Sequence, residues 1–178
     1  VVDLCKDLFP NVHKGAFDDP RLNVHLADAF GFLEDESAAG RYDLIIADRP
    51  DPVGPAAVLF ETRFYELVKR ALTAEGVAVF QTGVPLFQGD ELTDTVRQHA
   101  EVFAENGTYL VVTPTYMGGF MALTWGSKTA GVRLGDRTRQ GEVADRFADA
   151  AIPTDYYTPD LHFAAFDLPA FMQRLVDA

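Results

Sequence analysis

The stretch RYDLIIADRPDPVGPA, residues 41–56, changes character halfway along its length. Its first half, residues 41–48, is a run of aliphatic side chains after a polar start, which predicts a strand buried on both faces of a sheet. The following segment, residues 49–58, holds three prolines, which remove backbone donors and fix φ, so we predict a stiff loop without regular structure. Asp48 and Asp51 therefore leave a buried strand and enter a rigid loop.

The segments on either side alternate between strand and helix patterns, which predicts a doubly wound α/β sheet. Two strand patterns follow each other near the end of the chain, and we expect them to form an antiparallel hairpin at the sheet edge. Strands are predicted over residues 21–28, 77–82, 108–116 and 120–128. Helices are predicted over residues 1–9, 29–37, 59–76, 89–106 and 141–150 and from about Pro169, with Pro10, Gly76 and Asn106-Gly107 as terminators and residues 156–162 as a loop.

Composition narrows the classes of function. The chain has 178 residues and a net charge of −12, so we expect one domain and no nucleic-acid surface. No apolar run reaches the roughly 20 residues that cross a bilayer, so no membrane partner is expected. The single cysteine, Cys5, rules out an internal disulfide and weakly favours a reducing, cytoplasmic compartment. No Cys/His cluster has zinc-ligand spacing.

Three polar residues, Asp28, Asp48 and Gln81, fall at or just after predicted strand ends. In doubly wound sheets ligands bind beyond the carboxyl ends of the strands, so these residues indicate a binding site. Asp48 and Asp51, three residues apart, suit a diamine, because one carboxylate can hold an ammonium while the other accepts a proton. From the residues alone, an acidic surface turn explains this pair equally well, and Asp28 could equally be a helix cap.

Five segments together resemble one enzyme family. DRPDPVGPA, residues 48–56, resembles the acceptor-site signature D-x-x-D-P-x-G-P-A/G of the spermidine synthases, the polyamine aminopropyltransferases, in their bacterial form. Four further segments resemble other parts of the same family and extend the resemblance over nearly the whole chain. They are residues 1–11, 15–33, 114–128 (PTYMGGFMALTWGSK) and 156–171 (YYTPDLHFAAFDLPAF).

The resemblance implies a Rossmann-like fold of the S-adenosylmethionine-dependent methyltransferase type, of which this chain is the carboxyl-terminal part. It implies transfer of an aminopropyl group from decarboxylated S-adenosylmethionine, a co-substrate, to putrescine, without cofactor, metal or covalent intermediate. The products are spermidine and 5′-methylthioadenosine. The resemblance implies that Asp48 is the catalytic base. It implies polyamine contacts from Asp48, Asp51, Gln81 and Tyr116. It implies nucleoside contacts from Asp28, Ala29 and Pro55.

Two features depart from the family pattern. Arg49 and Pro50 stand where relatives have small residues, and we expect Arg49 to point outward or to pair with an acid. An inward, unpaired Arg49 would indicate altered acceptor choice. Relatives also carry an amino-terminal β-rich region and a glycine-rich turn ahead of the part seen here. Residues 1–178 therefore read as a single catalytic domain, incomplete at its start, whose sheet has a gap between residues 21–28 and 41–48.

We therefore expect the chain alone to be inactive and poorly stable without the amino-terminal segment. Relatives are commonly homo-oligomers, so a dimer or tetramer is expected. Two other functions stay open. One is a methyltransferase on the same fold, and the other is a relative that binds polyamine or nucleoside without turnover or with altered specificity.

Overall fold

A computed structural model describes all 178 residues. The helices are α1 (Val2–Leu8), α2 (Pro10–His13), α3 (Ala29–Glu34), α4 (Thr62–Ala71), α5 (Gly89–Val102), α6 (Gln140–Ala150), α7 (Pro159–Ala164) and α8 (Ala170–Val176). The strands are β1 (Tyr42–Ala47), β2 (Leu72–Gln81), β3 (Glu105–Val112) and β4 (Phe120–Ser127). A 3-10 helix covers Gly54–Phe60. None of the helices is long and apolar enough to cross a membrane.

The four strands form one sheet in the order β1-β2-β4-β3. β1 and β2 are parallel, with Ala47 opposite Phe80 near their carboxyl ends. β4 lies antiparallel to both β2 and β3. The prediction of an α/β sheet that closes in an antiparallel hairpin at its edge is confirmed, since β3 is the outermost strand. The parallel pair brings the carboxyl ends of β1 and β2 side by side, and we call this edge of the sheet the rim.

An aromatic cluster beneath the rim packs α4 and α5 onto β2. Tyr65 of α4, Phe80 of β2 and His99 of α5 are all fully buried or nearly so. Their rings meet edge to face, with centroids 4.6 Å apart for Tyr65 and His99 and 4.8 Å apart for Phe80 and His99. Such edge-to-face contacts add to the hydrophobic stabilisation of the core. The loops that follow β1 and β2 therefore stand on a rigid base.

Two strand predictions need correction. Residues 21–28 are not a strand: they pair with no other strand and are exposed throughout. β1 is a strand but is not buried on both faces, since Leu44 and Ile46 are 56% and 70% exposed. Both errors have one physical cause, because strand hydrogen bonds and burial come from neighbouring strands, and β1 has a neighbour on one side only.

Glycines explain two misplaced helix ends. Gly76 lies inside β2 and Gly107 inside β3, whereas α4 ends at Ala71 and α5 at Val102. A Cβ at Gly76 would lie 2.8 Å from the Tyr42 carbonyl oxygen, and one at Gly107 would lie 2.7 Å from the Trp125 ring nitrogen. The absent side chains therefore permit close packing within the sheet rather than ending a helix.

Prolines account for the other misplaced boundaries. Pro10 begins α2 rather than ending helical structure, because its missing N–H is not needed in the first turn of a helix. Part of the predicted loop over residues 156–162 is helical for the same reason. Pro159 occupies the first position of α7, and the Thr158 hydroxyl caps this helix by accepting from the Leu161 amide at 3.1 Å.

Candidate active site

A cleft of about 550 Å³ opens at the rim. Three loops surround it: the loop after β1, the loop after β2 and the connection between β3 and β4. We call it the rim cleft, and its lining residues are Arg49, Pro50, Asp51, Gln81, Val84, Phe87, Gln88, Thr115, Tyr116 and Met117. Three side chains that the sequence singled out, those of Asp51, Gln81 and Tyr116, therefore meet in one cleft.

The two acids of the proline-rich loop differ in their surroundings. Asp48 directly follows β1 and is exposed, and its side chain makes no hydrogen bond or ion pair with the protein. Asp51 is also exposed, but its Oδ1 accepts a hydrogen bond from Gln88 Nε2 at 3.1 Å. The Asp51 carbonyl oxygen accepts from the Val53 amide at 2.7 Å, which closes a tight turn. The loop thus leaves one carboxylate free and ties the other to the loop after β2.

Gln88, at the amino-terminal end of α5, joins two carboxylates. Its Nε2 donates to Asp51 Oδ1 and to Glu91 Oε2, each at 3.1 Å. Its Oε1 accepts from the Val84 amide at 2.7 Å. Glu91 is partly buried, and burial raises the pKa of its carboxyl. The positive charge of Arg49 and the hydrogen bond from Gln88 oppose this rise in pKa, while the negative charge of Asp51 adds to it.

Arg49 departs from both of its predicted placements. It neither points outward nor pairs with an acid: it is 5% exposed and takes part in none of the ion pairs of the protein. Its guanidinium donates to the Leu59 carbonyl at 2.6 Å, the Tyr65 hydroxyl at 2.8 Å and the Gln81 carbonyl at 3.0 Å. The Arg49 guanidinium carbon also lies 3.8 Å from the centroid of the Phe60 ring. Neutral oxygens and this aromatic face therefore take the place of a carboxylate partner.

Burial of the guanidinium changes the electrostatics beneath the cleft. Loss of hydration lowers the pKa of Arg49, while the Tyr65 hydroxyl and the negative charge of Glu91 act in the opposite direction. The hypothesis that an inward Arg49 alters the choice of acceptor stays a prediction. The three hydrogen bonds fasten the loop after β1 to α4 and to the end of β2.

Gln81 and Tyr116 both line the rim cleft. In the orientation that satisfies both neighbours, the Gln81 amide donates to the Arg49 carbonyl at 3.2 Å and accepts from the Gly83 amide at 3.3 Å. Tyr116 lies in a turn in which its amide donates to the Thr113 carbonyl at 3.0 Å. Its side chain is exposed rather than packed in the core.

The predicted nucleoside residues are not among those that line the rim cleft. Asp28 caps α3, and its carboxylate accepts from the Phe30 amide at 3.3 Å and the Gly31 amide at 3.1 Å. Ala29 is the exposed first residue of that helix, and Pro55 is exposed in the 3-10 helix after the acidic loop. No hydrogen bond links these residues to Asp48 or Asp51. The cap is therefore real, and the nucleoside role stays a prediction.

Sequence reasoning missed Gln88 and Glu91. Both lie at the start of the helix that follows β2, and helices that follow parallel strands begin at the rim where the strands end. That topological rule was the available signal, but it does not say which side chains of the first turn face the loop after β1. No group of three His, Cys, Asp or Glu side chains lies close enough together to hold a metal ion. That the reaction uses no metal stays a prediction.

Comparison with known proteins gives a consistent assignment. Residues 1–136 match the family model of the spermine/spermidine synthase domain. The chain is 45% identical over 175 residues to a polyamine aminopropyltransferase of Ruegeria sp. and 40% identical over 176 residues to polyamine aminopropyltransferase 1 of Pseudomonas aeruginosa. These alignments cover 98% and 99% of the chain. The chain spans about 60% of the length of these curated relatives.

Solved structures give the same picture of the fold. A crystal structure of spermidine synthase in complex with the transition-state analogue AdoDATO superposes with a TM-score of 0.85 at 25% identity. The alignment covers 99% of this chain and 57% of the spermidine synthase chain. Spermidine synthase from Thermotoga maritima superposes with a TM-score of 0.83 at 26% identity, covering 99% and 56%. The methyltransferase-like α/β fold expected for the chain is therefore confirmed.

Proposed function

This chain belongs to the spermine/spermidine synthase domain family, and we propose that it carries the acceptor site of an enzyme that transfers an aminopropyl group from decarboxylated S-adenosylmethionine to putrescine. The observation that carries the proposal is the meeting of Asp51, Gln81 and Tyr116 in the rim cleft, with Asp48 at the end of β1 beside it. A slender dication suits a cleft edged by two carboxylates and an aromatic ring. The carboxylates neutralise its charge, and the ring packs against its methylene chain.

The reaction is a single displacement. A putrescine nitrogen forms a bond to the methylene carbon next to the sulfonium, and the carbon–sulfur bond breaks with its electron pair going to sulfur. An alkyl ammonium has a pKa of about 10.4, so the attacking nitrogen must lose a proton first. Asp48 accepts that proton, since its carboxylate has no competing partner in the protein. Spermidine and 5′-methylthioadenosine leave.

Asp51 serves as the fixed anion of the acceptor site. One carboxylate oxygen is held by Gln88 and the other has no protein partner, so it is available to an ammonium group. Asp28 and Ala29 at the start of α3, together with Pro55, are the proposed nucleoside contacts. Both Asp28 oxygens accept capping bonds, but each retains a second lone pair, so the adenine amino group can still donate to this carboxylate.

The proposal is tested by product release in the natural polypeptide that contains these residues, at its full length. Incubation with decarboxylated S-adenosylmethionine and putrescine should release 5′-methylthioadenosine and spermidine in equal amounts. Binding of both compounds without release would favour a non-catalytic relative. Methyl transfer from S-adenosylmethionine without 5′-methylthioadenosine release would favour a methyltransferase. Either result would overturn the proposed reaction.

A further inference from the structure

The Gln88 side chain has a defined orientation. The Val84 backbone amide can only donate, so the Gln88 oxygen must face it, at 2.7 Å. The NH₂ group then faces the two carboxylates, and each of its two hydrogens has one acceptor, Asp51 Oδ1 and Glu91 Oε2, both at 3.1 Å. Every hydrogen of this amide is used, and reversing the amide would break all three bonds.

Gly83 leaves the space that this arrangement needs. Its φ of +72° lies in the left-handed region, which favours glycine. A Cβ there would lie 2.6 Å from the Gln88 oxygen and 2.8 Å from its amide carbon. A side chain at residue 83 would therefore push the amide away from Val84. The loop after β2 is thus built around the Gln88 side chain.

We propose that Gln88 is a positioning residue for the acceptor amine. It fixes the Asp51 carboxylate with one oxygen held by the protein and the other directed to the cationic substrate. This inference rests on the proposed function and assigns to it a residue outside the D-x-x-D-P loop. Gln88 does not touch the reacting atoms; it acts through Asp51.

Glu91 makes the donor role of Gln88 necessary. Without the bridging amide, the carboxylates of Asp51 and Glu91 would face each other with no hydrogen between them. Like charges at such short range repel, so Asp51 would swing away or one carboxyl would take up a proton. Hydrogen bonds from a shared NH₂ group to two carboxylates are charge-assisted and remove this repulsion. The positive charge of the buried Arg49 lies close enough to lower the pKa of Glu91.

The test uses two variants that separate shape from hydrogen bonding. Gln88→Leu keeps approximate size but neither donates nor accepts. Gln88→Glu is nearly isosteric and can still accept from Val84, but when ionised it cannot donate to the two carboxylates. The matched control is Gln98→Glu on α5, whose side chain accepts from the Thr62 hydroxyl at 3.0 Å and retains an acceptor after substitution.

Binding is measured by calorimetry on the full-length protein, with putrescine titrated in the presence of 5′-methylthioadenosine. Both Gln88 variants should raise the putrescine Kd about tenfold or more, while the Kd for 5′-methylthioadenosine and the melting temperature stay near wild type. The Gln88→Glu defect should shrink as the pH is lowered from 8.5 to 6.5, because a protonated carboxyl can donate. In an Asp51→Asn background, Gln88→Leu should add less than a twofold change.

Three results would overturn the inference. They are a putrescine Kd within twofold of wild type in Gln88→Leu, a Gln88→Glu defect that does not vary with pH, and additive effects of Gln88→Leu and Asp51→Asn. Failure of the proposed function is a different result, namely absence of 5′-methylthioadenosine release by the wild type. If the wild type binds no diamine at all, both the inference and the proposed function are overturned.

Discussion

Arg49 and Tyr65 are joined by a hydrogen bond of 2.8 Å from guanidinium to phenol, inside the protein and directly beneath the acidic loop. Arg49 follows Asp48 in the sequence, and an Arg49 side chain that faced the cleft would oppose a cationic substrate. The fold instead turns this cation inward, where three neutral oxygens accept hydrogen bonds from its terminal nitrogens. The side chain fastens the loop, because its hydrogen bonds go to oxygens of Leu59, Tyr65 and Gln81 within the protein.

These hydrogen bonds favour a structural role for Arg49 over the effect on acceptor choice expected from the sequence, so its replacement by serine should affect stability more than substrate choice. Arg49→Ser leaves the Leu59 and Gln81 carbonyls and the Tyr65 hydroxyl without their donor, so we expect the free energy of unfolding to fall by more than about 2 kcal/mol. Urea unfolding measures this loss. The exposed Arg97, paired only with Asp94, provides the control: Arg97→Ser should change the free energy of unfolding by less than about 0.5 kcal/mol.

The same variant tests the choice of acceptor. We expect putrescine, cadaverine and spermidine to keep their order of turnover in Arg49→Ser, measured at a temperature at which wild type and variant are both folded. A changed order would show that the inward guanidinium sets acceptor preference and would contradict the purely structural role given to it here.

His99 should make the protein sensitive to acid. Burial, with the positive charge of Arg49 adding to it, lowers the pKa of His99 to about 3. In the unfolded chain a histidine pKa is about 6.5, so the unfolded state binds the proton first and stability falls as the pH drops below about 6.5. Between pH 7 and pH 5, the free energy of unfolding of His99→Phe should therefore fall by about 2 kcal/mol less than that of wild type.

Urea unfolding at the two pH values checks this prediction. The exposed His25 is the control, since His25→Phe should leave the pH dependence of stability as it is in wild type. An equal loss of stability between pH 7 and pH 5 in wild type and His99→Phe would mean that His99 is not held neutral in the core.

Substitution of Asp28 by serine can separate its two possible roles, which are helix capping and nucleoside binding. Serine is a good helix cap, so Asp28→Ser should change the free energy of unfolding by less than about 0.5 kcal/mol. Its short hydroxyl carries no charge and does not reach as far, so the KM for decarboxylated S-adenosylmethionine should rise about tenfold while the KM for putrescine stays unchanged. Steady-state kinetics on the full-length protein give both values.

Asp35 offers a matched control for this substitution. Its carboxylate accepts from the Ser37 amide at 2.8 Å, so it caps a short 3-10 helix in the same manner. Asp35→Ser should leave both KM values unchanged. An unchanged KM for decarboxylated S-adenosylmethionine in Asp28→Ser would limit Asp28 to its capping role.

Local pattern and one topological rule predict much of this fold. The hairpin formed by β3 and β4, helix α5 and the shared rim of Asp48 and Gln81 all follow from periodicity and from the direction of parallel strands. Residues 21–28 carry an equally good strand pattern and are not a strand, because pairing is a property of neighbours. The alternation of a segment cannot reveal whether a neighbour is present.

The site was predictable in its residue types but not in its contacts. Asp51, Gln81 and Tyr116 line one cleft, which fits the polyamine contacts that the family resemblance implies, and those contacts stay a prediction. The burial of Arg49 depends on the carbonyl oxygens of Leu59 and Gln81, which no rule of spacing brings to the guanidinium. The Gln88 bridge likewise requires Val84, Gly83 and Asp51 in fixed relative positions. The predicted homo-oligomer and the need for an amino-terminal segment stay predictions.

The central claim is that Asp48 takes the proton from the attacking amine. The most direct measurement is the single-turnover rate of 5′-methylthioadenosine release by Asp48→Asn in the full-length protein with saturating putrescine. Asp43→Asn is the control, since Asp43 lies on β1 and accepts from the Thr73 hydroxyl at 2.8 Å. We predict that Asp48→Asn slows the step at least about 100-fold while Asp43→Asn does not. A wild-type rate in Asp48→Asn would contradict the account.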